Sequence, residues 1–402
     1  MFGQTVQFKT PPTLAGFFLS RADFLWNTGH GGSVLWISAV AELEEVTPMI
    51  ELLDLQRINR AKRAFTTRRI PIEKMRSLSL SVDAPKPGDV ILARVEEVGR
   101  LNRIELTTGR KATLYPGDEI VLVYGNRYAP DAYEAEVPCD LSPCDLAAGG
   151  GIASRVINAN VLWETKGTPT RIRPIAYIAD PEGRTLNVRA FSFSGHPLPT
   201  RTTPVIAVCG ATMNSGKTTT VAGIIRGLTQ KGLRVGAAKV TGTGSGNDLW
   251  KFHDAGAAYA FDFTDAGMAT TYLAEIDAVA KGAEVLISEL VARNCGAIVI
   301  EIADGVHQRE TRALLSNNRL RYLVDRWVYA ADSAASAAIG WHVMTECGLP
   351  LSAISGLLTA SPLAVREAAS LVPASFAGLP ELTDGSVPLT WIEDFTKMPA
   401  LA

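Results

Sequence analysis

The sequence predicts an α/β protein in two parts: a β-rich segment, either a small barrel or a sandwich, followed by a mainly parallel sheet covered by helices. Between residues 90 and 193, apolar positions recur with period two in short runs divided by turn signals. Beyond residue 204, strand-length apolar runs alternate with longer helix-forming stretches, the pattern of βαβ units. A glycine-bearing turn of fixed spacing joins the first such run to the first such stretch.

Composition narrows the class further. A chain of 402 residues has room for two or three domains at roughly 100–200 residues each. Apolar residues at 47% and charged residues at 20% exclude a disordered chain. Lys+Arg 39 against Asp+Glu 41 leaves −2, so the global field of a dedicated nucleic-acid binder is missing and nucleic acid is not an expected partner. No uncharged apolar stretch reaches about 18 residues, which argues against a spanning helix and a membrane partner. The apolar run at residues 14–19 follows only Lys9 and precedes no small-residue cleavage pattern, so a signal peptide is not expected. Five scattered cysteines fit a reduced compartment, and the expected location is cytoplasmic.

In chain order, residues 1–84 form a mixed segment, 85–196 the β-rich domain and 200–402 the domain of alternating elements. The first segment holds the turn Thr28-Gly29-His30-Gly31-Gly32-Ser33 and an apolar run at 34–40. Residues 57–76 then carry eight Lys or Arg and one acid, Glu73, which reads as a solvated helix face or linker. The turn at Pro85-Lys86-Pro87-Gly88-Asp89 opens the second segment. Strands are expected at 90–95, 103–106, 119–124 and 133–137, separated by Thr108-Gly109, Pro116-Gly117-Asp118 and Gly125-Asn126. After Gly149-Gly150-Gly151 the chain crosses back toward strands around Ile175 and Leu186, and Pro197-Leu198-Pro199-Thr200 is a linker. The third segment should hold strands at 204–209, 234–239, 297–301, 327–331 and 353–358, with helices at 217–231, 333–347 and 362–371.

The strongest motif is Gly210-Ala211-Thr212-Met213-Asn214-Ser215-Gly216-Lys217-Thr218, which satisfies G-x-x-x-x-G-K-[ST] between an apolar strand and a helix. Glycines let the backbone curl around phosphate oxygens, so that successive N–H groups and a helix N-terminus meet negative charge. Lys217 would reach the terminal phosphates, and the Thr218 hydroxyl suits Mg²⁺. Gly210, Asn214, Ser215, Gly216, Lys217, Thr218 and Thr219 are therefore the expected nucleotide-binding residues. The metal-facing acid should end a neighbouring strand. Glu301, after Ala297-Ile298-Val299-Ile300, is the first choice and Asp304 the second. At the end of the second strand Lys239 should face the phosphates. The loop that follows, Thr241-Gly242-Thr243-Gly244-Ser245-Gly246-Asn247-Asp248, leads to a carboxylate suited to a metal shell or a base. Catalysis is thus assigned to Lys217, Lys239, Asp248 and Glu301, and the metal to Thr218, Asp248 and Glu301.

Taken together, residues 210–218, Lys239 with the loop to Asp248, and Glu301-Ile302-Ala303-Asp304-Gly305 resemble the SIMIBI class of P-loop proteins. The resemblance is to dethiobiotin synthetase and the molybdopterin-guanine dinucleotide biosynthesis adaptor, and to a bacterial family of unknown function that joins an N-terminal domain to such a P-loop domain. The adaptor's helix after the second strand resembles Asp254-Ala255-Gly256-Ala257. The resemblance covers residues 200–402. It implies that Lys217, Thr218, Lys239, Asp248 and Glu301 serve phosphates and Mg²⁺ while ATP drives carboxylate activation. Ala211 stands where partitioning ATPases carry their signature lysine, so the resemblance does not extend to a dimer-dependent motor. The guanine-reading N-K-x-D is absent; Thr359-Ala360-Ser361-Pro362 could accept a base edge and favours adenine.

Weaker candidates have bland alternatives. Arg309 could touch a transferring phosphoryl group, with His307 in the same segment, or could pair with an acid at a helix start. Asp262, Thr264, Asp265, Thr270 and Thr271 could line a substrate pocket or serve as turn and cap residues. Cys139 and Cys144 lack the second Cys or His pair that zinc needs. The expected function is Mg²⁺- and ATP-dependent chemistry on a small molecule, by phosphoryl transfer or carboxylate activation, with a homo-oligomer left open. The alternatives are a nucleotide-gated adaptor with slow hydrolysis, and an acyltransferase using the loop to hold coenzyme A.

Overall fold

The computed structural model describes residues 49–80, 83–165, 167–198 and 203–397. The turn at 28–33, the apolar runs at 14–19 and 34–40, and the second half of the linker at 197–200 lie outside them. The architecture is mixed α/β, with one large mixed sheet and one six-stranded parallel sheet. Among the described residues no helix is long and apolar enough to cross a membrane.

In the large sheet, strand Thr170–Ala179 pairs with Val90–Glu97, which pairs with Glu119–Tyr124. That strand runs parallel to Ile152–Ala159, which pairs with Cys144–Ala148, and Cys144–Ala148 returns to Thr170–Ala179. The five pairings close a ring, which leaves no free edge within it. Successive side chains of a strand point to opposite faces. From Val90–Glu97, Ile91, Ala93 and Val95 enter one core with Ile120, Leu122 and Tyr124, whereas Val90 and Leu92 enter another with Val121 and Val123. Both faces are covered, so the run Val90-Ile91-Leu92-Ala93 is apolar without interruption. Position 186 differs from expectation. Only isolated bridges form there, Ala179 with Thr185 and Asp89 with Asn187, before a single 3₁₀ turn at Val188–Phe191.

The parallel sheet has the order Tyr259–Asp262, Val235–Lys239, Ala297–Glu301, Val205–Gly210, Arg326–Ala330, Leu351–Ser355. Helices cover both faces. Ile206 and Val208 pack with Val221, Ile224 and Leu228 of helix Lys217–Gln230, while Ala207 and Cys209 pack on the opposite side with Ala283 and Leu286 of helix Ile276–Ala292. The last strand stops at Ser355, and Gly356 (φ 92°) turns the chain into a 3₁₀ helix at Leu357–Ala360, so the expected strand end at 358 is corrected. The helix expected through Asp254-Ala255-Gly256-Ala257 likewise ends at Ala255, with Gly256 as a left-handed cap.

The basic stretch 57–76 is neither a solvated face nor a linker. It holds a short helix, Leu55–Arg60, two 3₁₀ turns, and side chains that tie the two sheets together. Arg68 pairs with Asp262 at 3.1 Å and Asp265 at 2.5 Å, and stacks on Phe65 at 4.0 Å. Phe65 itself lies in the core beneath helix Lys217–Gln230. Arg68, which looks free along the sequence, finds its partners about 195 residues away, while Arg57 and Lys62 pair with Glu119 and Asp118.

Candidate functional site

Strand Val205–Gly210 sits in the middle of the parallel sheet, and the chain that leaves its C-terminal end must turn sharply into helix Lys217–Gln230. Gly216 makes that turn at φ 96°, and a Cβ there would press on Gly356 Cα and Leu357 N at 3.1 Å. The helix N-terminus therefore points into the crevice above the strand ends. The next strand in sequence, Val235–Lys239, lies one strand removed, with Ala297–Glu301 between, so the crevice opens where the chain reverses direction along the sheet.

Register brings the predicted charged residues together. Val208 and Lys239 both stand level with Glu301 on the intervening strand. Thr218 Oγ1 donates to Glu301 Oε1 at 3.2 Å. Lys239 Nζ is paired with the Asp248 carboxylate, which the loop at 241–248 returns to the same spot at the first turn of helix Asn247–Ala255. Lys217 Nζ folds back onto the Thr212 carbonyl at 2.5 Å. Lys217 and Glu301 are 3% and 2% exposed, far below the norm for charged side chains. The Oε2 atom of Glu301 is buried and has no hydrogen-bond partner among the described residues.

Burial and charge act in opposite senses here. Burial pushes the Glu301 carboxyl up, against the pull of Lys239 and Lys217, and does the same to Asp304. Burial also lowers Lys217, only partly offset by Glu301 and Asp304. Burial would lower Lys239 as well, but Glu301 and Asp248 more than offset it and hold the ammonium protonated. Asp248 moves the other way: burial raises it, and the neighbouring Lys239 brings it below the usual carboxylate range. Two ammonium groups and three carboxylates, buried or half-buried, thus share one small volume, where electrostatic effects are larger than in water.

These groups line a cavity of about 610 Å³ at the junction of the two sheets. Met213, Asn214, Lys217, Thr218, Lys239, Asp248, Glu301 and Asp304 form one wall. The other comes from Arg100 and Asn102, from a separate two-stranded sheet that carries Arg103, Glu105 and Lys111, and from Arg127 and Tyr128 of the large sheet. A second cavity of about 310 Å³ lies beyond Gly216 and Thr219, between Ser355, Leu357, Thr359, Leu379 and Pro380. Ser215 is buried, and Gly210 is held by strand packing, where a Cβ would meet Ala330 O at 2.6 Å.

Other candidates do not join the site. Asp262, Thr264 and Asp265 are buried against Arg68 and serve the junction of the sheets, not a pocket. Thr271 Oγ1 accepts from Gly242 N at 2.8 Å and so props the loop from behind. Arg309 is 87% exposed, and its nearest acid is Glu310 at 3.9 Å. His307 lines an adjoining pocket with Gln308 and Asp131, which shares Tyr128, Met213, Asn214 and Asp304 with the main cavity but does not bring His307 into it. Asp304 adopts φ 65°, a left-handed conformation rarely taken by residues other than glycine, and lines the main cavity. The far wall was invisible in the sequence. Arg103 and Lys111 there are ordinary residues of short strands, and no motif marks them.

No family model matches the chain, and no curated protein does. Among solved structures, the signal recognition particle receptor FtsY from Elizabethkingia anophelis is 14% identical over 42% of this chain and 59% of its own, with TM-score 0.30. The signal recognition particle 54 kDa protein from Aeropyrum pernix K1, in complex with GDP, is 16% identical over 52% and 53%, with TM-score 0.33. FtsY from Thermotoga maritima is 15% identical over 51% and 62%, with TM-score 0.29. The chain spans little more than half the length of these proteins, and likeness at these scores carries no argument about this one.

Proposed function

We propose that this chain binds ATP with Mg²⁺ and uses it to act on a small molecule, by phosphoryl transfer or carboxylate activation. One observation carries the reading: Lys217, Thr218, Lys239, Asp248 and Glu301 converge on one cavity that extends past the phosphate loop to a second wall. A protein that only sensed a nucleotide would have no use for that extra volume, which falls within the roughly 300–1,000 Å³ of small-molecule sites.

The phosphates lie along the loop, with backbone N–H groups and the helix start meeting their charge. Lys217 leaves the Thr212 carbonyl and takes the terminal phosphate oxygens. Thr218, with Glu301 and Asp248, would hold Mg²⁺ beside those oxygens, where the cation supplies charge neutralisation. The unpartnered Glu301 Oε2 fits that role, since a buried carboxylate oxygen otherwise costs about 1–3 kcal/mol. A Mg²⁺ held there would keep waters and phosphate oxygens in the rest of its shell. Lys239 faces the space beyond the terminal phosphate and stabilises charge that develops there as the group moves.

The base enters the smaller cavity. Its walls are Leu357, Leu379 and Pro380 with the hydroxyls of Thr219, Thr220 and Thr359, and no acid lines it among the described residues. Guanine presents adjacent N–H donors best met by a carboxylate, whereas an adenine edge is served by hydroxyl and backbone groups. Adenine is therefore the preferred base.

Calorimetric titration with ATP, GTP and coenzyme A, each with and without Mg²⁺, tests the reading. ATP should bind most tightly and only with Mg²⁺, and at 100-fold over Kd it should stabilise the fold by about 2.7 kcal/mol. Binding of coenzyme A alone, or of no nucleotide, would overturn it.

A further inference from the structure

We infer that the wall of the cavity opposite the phosphate loop is a binding site for the anionic end of a small co-substrate, one bearing a carboxylate or phosphate remote from its reacting group. The inference rests on the nucleotide reading above for what lies on the loop side, and on the far wall alone for the anion.

Four cations form that wall: Arg100, Arg103, Lys111 and Arg127. None is ion-paired with a carboxylate among the described residues, although most other interior-facing arginines are, such as Arg57 with Glu119 and Arg68 with Asp262. Arg100 lies flat over the Trp163 ring at 3.9 Å, and its Nε is buried without a hydrogen-bond partner. Arg127 donates only to the Ala147 carbonyl and stands 5.8 Å from the Tyr133 ring. Burial lowers its guanidinium against a weaker opposing pull from Asp131, as expected for a cation desolvated without a counter-charge.

The acids of the cavity cannot serve as counter-charges. Asp248 is paired with Lys239, and Glu301 and Asp304 face Lys239 and Lys217, all on the loop side. Glu105, the acid of the far wall, spends its carboxylate on Ser245 Oγ, Gly246 N and Trp250 Nε1. A chain of net charge −2 has thus gathered seven cations and four acids around one cavity, with four of the cations on the far wall, where Glu105 is the one acid lining it among the described residues. Arg100 and Arg127 are half-buried, and such charges are normally paired because desolvation is costly; the exposed Arg103 and Lys111 add positive charge beside them. A wall of unmatched guanidinium groups is complementary to an oxyanion, which arginine meets with two parallel N–H donors.

The nucleotide does not explain the wall. Its base belongs in the separate cavity past Gly216, so only the terminal phosphate reaches the large cavity, where Lys217 and Lys239 already stand. The remaining space runs from Lys239 to the four cations. A co-substrate lying there would present its reacting group to the terminal phosphate and its anionic end to the far wall.

The test uses the full chain and the variant Arg103→Ala/Lys111→Ala, two exposed side chains whose loss should not disturb folding. Binding of succinate, citrate and glycerol 3-phosphate is measured against the neutral succinamide and glycerol, at fixed ionic strength, with and without the non-hydrolysable ATP analogue. The wild type should bind at least one anion and none of the neutral compounds. The variant should lose about tenfold or more in affinity for that anion while its affinity for the analogue changes less than about twofold. Preference for the carboxylates over glycerol 3-phosphate, or the reverse, identifies the source of the charge. An equal loss of anion and analogue affinity would show that the wall serves the nucleotide, and overturn the inference. Failure of every anion to bind better than its neutral counterpart would overturn it as well. Should the analogue itself not bind, the nucleotide reading fails, and the anion titration without it still decides this one.

Discussion

The Glu105 carboxylate accepts the Trp250 indole N–H at 2.8 Å across 145 residues of sequence, and its second oxygen accepts the Gly246 amide at 2.9 Å. Glu105 ends a short strand of the β-rich part, while Gly246 and Trp250 flank Asp248 at the start of helix Asn247–Ala255. One buried side chain therefore fixes the loop that carries a site carboxylate.

Glu105→Gln should expose that dependence. The amide keeps the shape but turns an NH₂ group toward donors, leaving at least one buried N–H unmet at a cost of about 1–3 kcal/mol. Chemical denaturation should show a loss of that size, and turnover should fall further than nucleotide affinity as Asp248 loses its fixed position. Unchanged stability would mean that the loop is held by its other contacts, such as Thr271 with Gly242.

Lys217→Met should separate stability from binding. Burial lowers the Lys217 ammonium, so its charge opposes folding at neutral pH. Removing it should stabilise the nucleotide-free protein by about 0.5–2 kcal/mol, the usual range for relief of a functional site. The same variant should bind no Mg·ATP by calorimetry. A variant that is less stable and still binds would make Lys217 a structural residue.

Glu301 predicts a pH dependence of defined sign. Its folded-state carboxyl lies above the unfolded value, so its contribution to stability is fully present below the ordinary glutamate range. That contribution is lost as pH rises through the raised value. Without nucleotide, Glu301→Gln should therefore match the wild type in acid and exceed it at neutral pH in thermal melts. With Mg·ATP the order should invert, since the charge has gained its cation. A wild type more stable than the variant at neutral pH without nucleotide would contradict the assignment.

Lys239 and Asp248 should behave as a unit. Lys239→Ala leaves the Asp248 and Glu301 carboxylates buried without their cation, a change that costs about 3–5 kcal/mol. Lys239→Met/Asp248→Asn removes both charges and should recover most of that loss. Turnover should stay about 10²-fold or more below wild type in the double variant, because a charge aimed at the transferring group is missing. Recovery of both stability and turnover would reduce the pair to a structural ion pair.

The legible parts of this molecule were local. An apolar run followed by Gly-x-x-x-x-Gly-Lys-Thr predicts strand, loop and helix from backbone rules alone, and Val205–Gly210 and Lys217–Gln230 lie within one residue of that reading. Glu301 and Lys239 were legible for the same reason, since parallel strands bring their C-terminal ends to one edge. The strand expected at residue 186 was misread because a turn-bounded apolar pair does not reveal whether a ladder partner exists. The basic stretch 57–76 was misread because pairing of Arg68 with Asp262 and Asp265 depends on chain reversal over nearly half the molecule.

What the sequence determined by itself is therefore the phosphate loop, the strand–helix alternation around it, and the identities of the charges at the strand ends, because each follows from periodicity and spacing within a few tens of residues. Only the tertiary structure decided that Arg100, Arg103, Lys111 and Arg127 stand across from that loop and that Glu105 locks the loop bearing Asp248. Those contacts are set by how two separately patterned sheets pack, and the sign and burial of a side chain in such a junction depend on partners that no local pattern names.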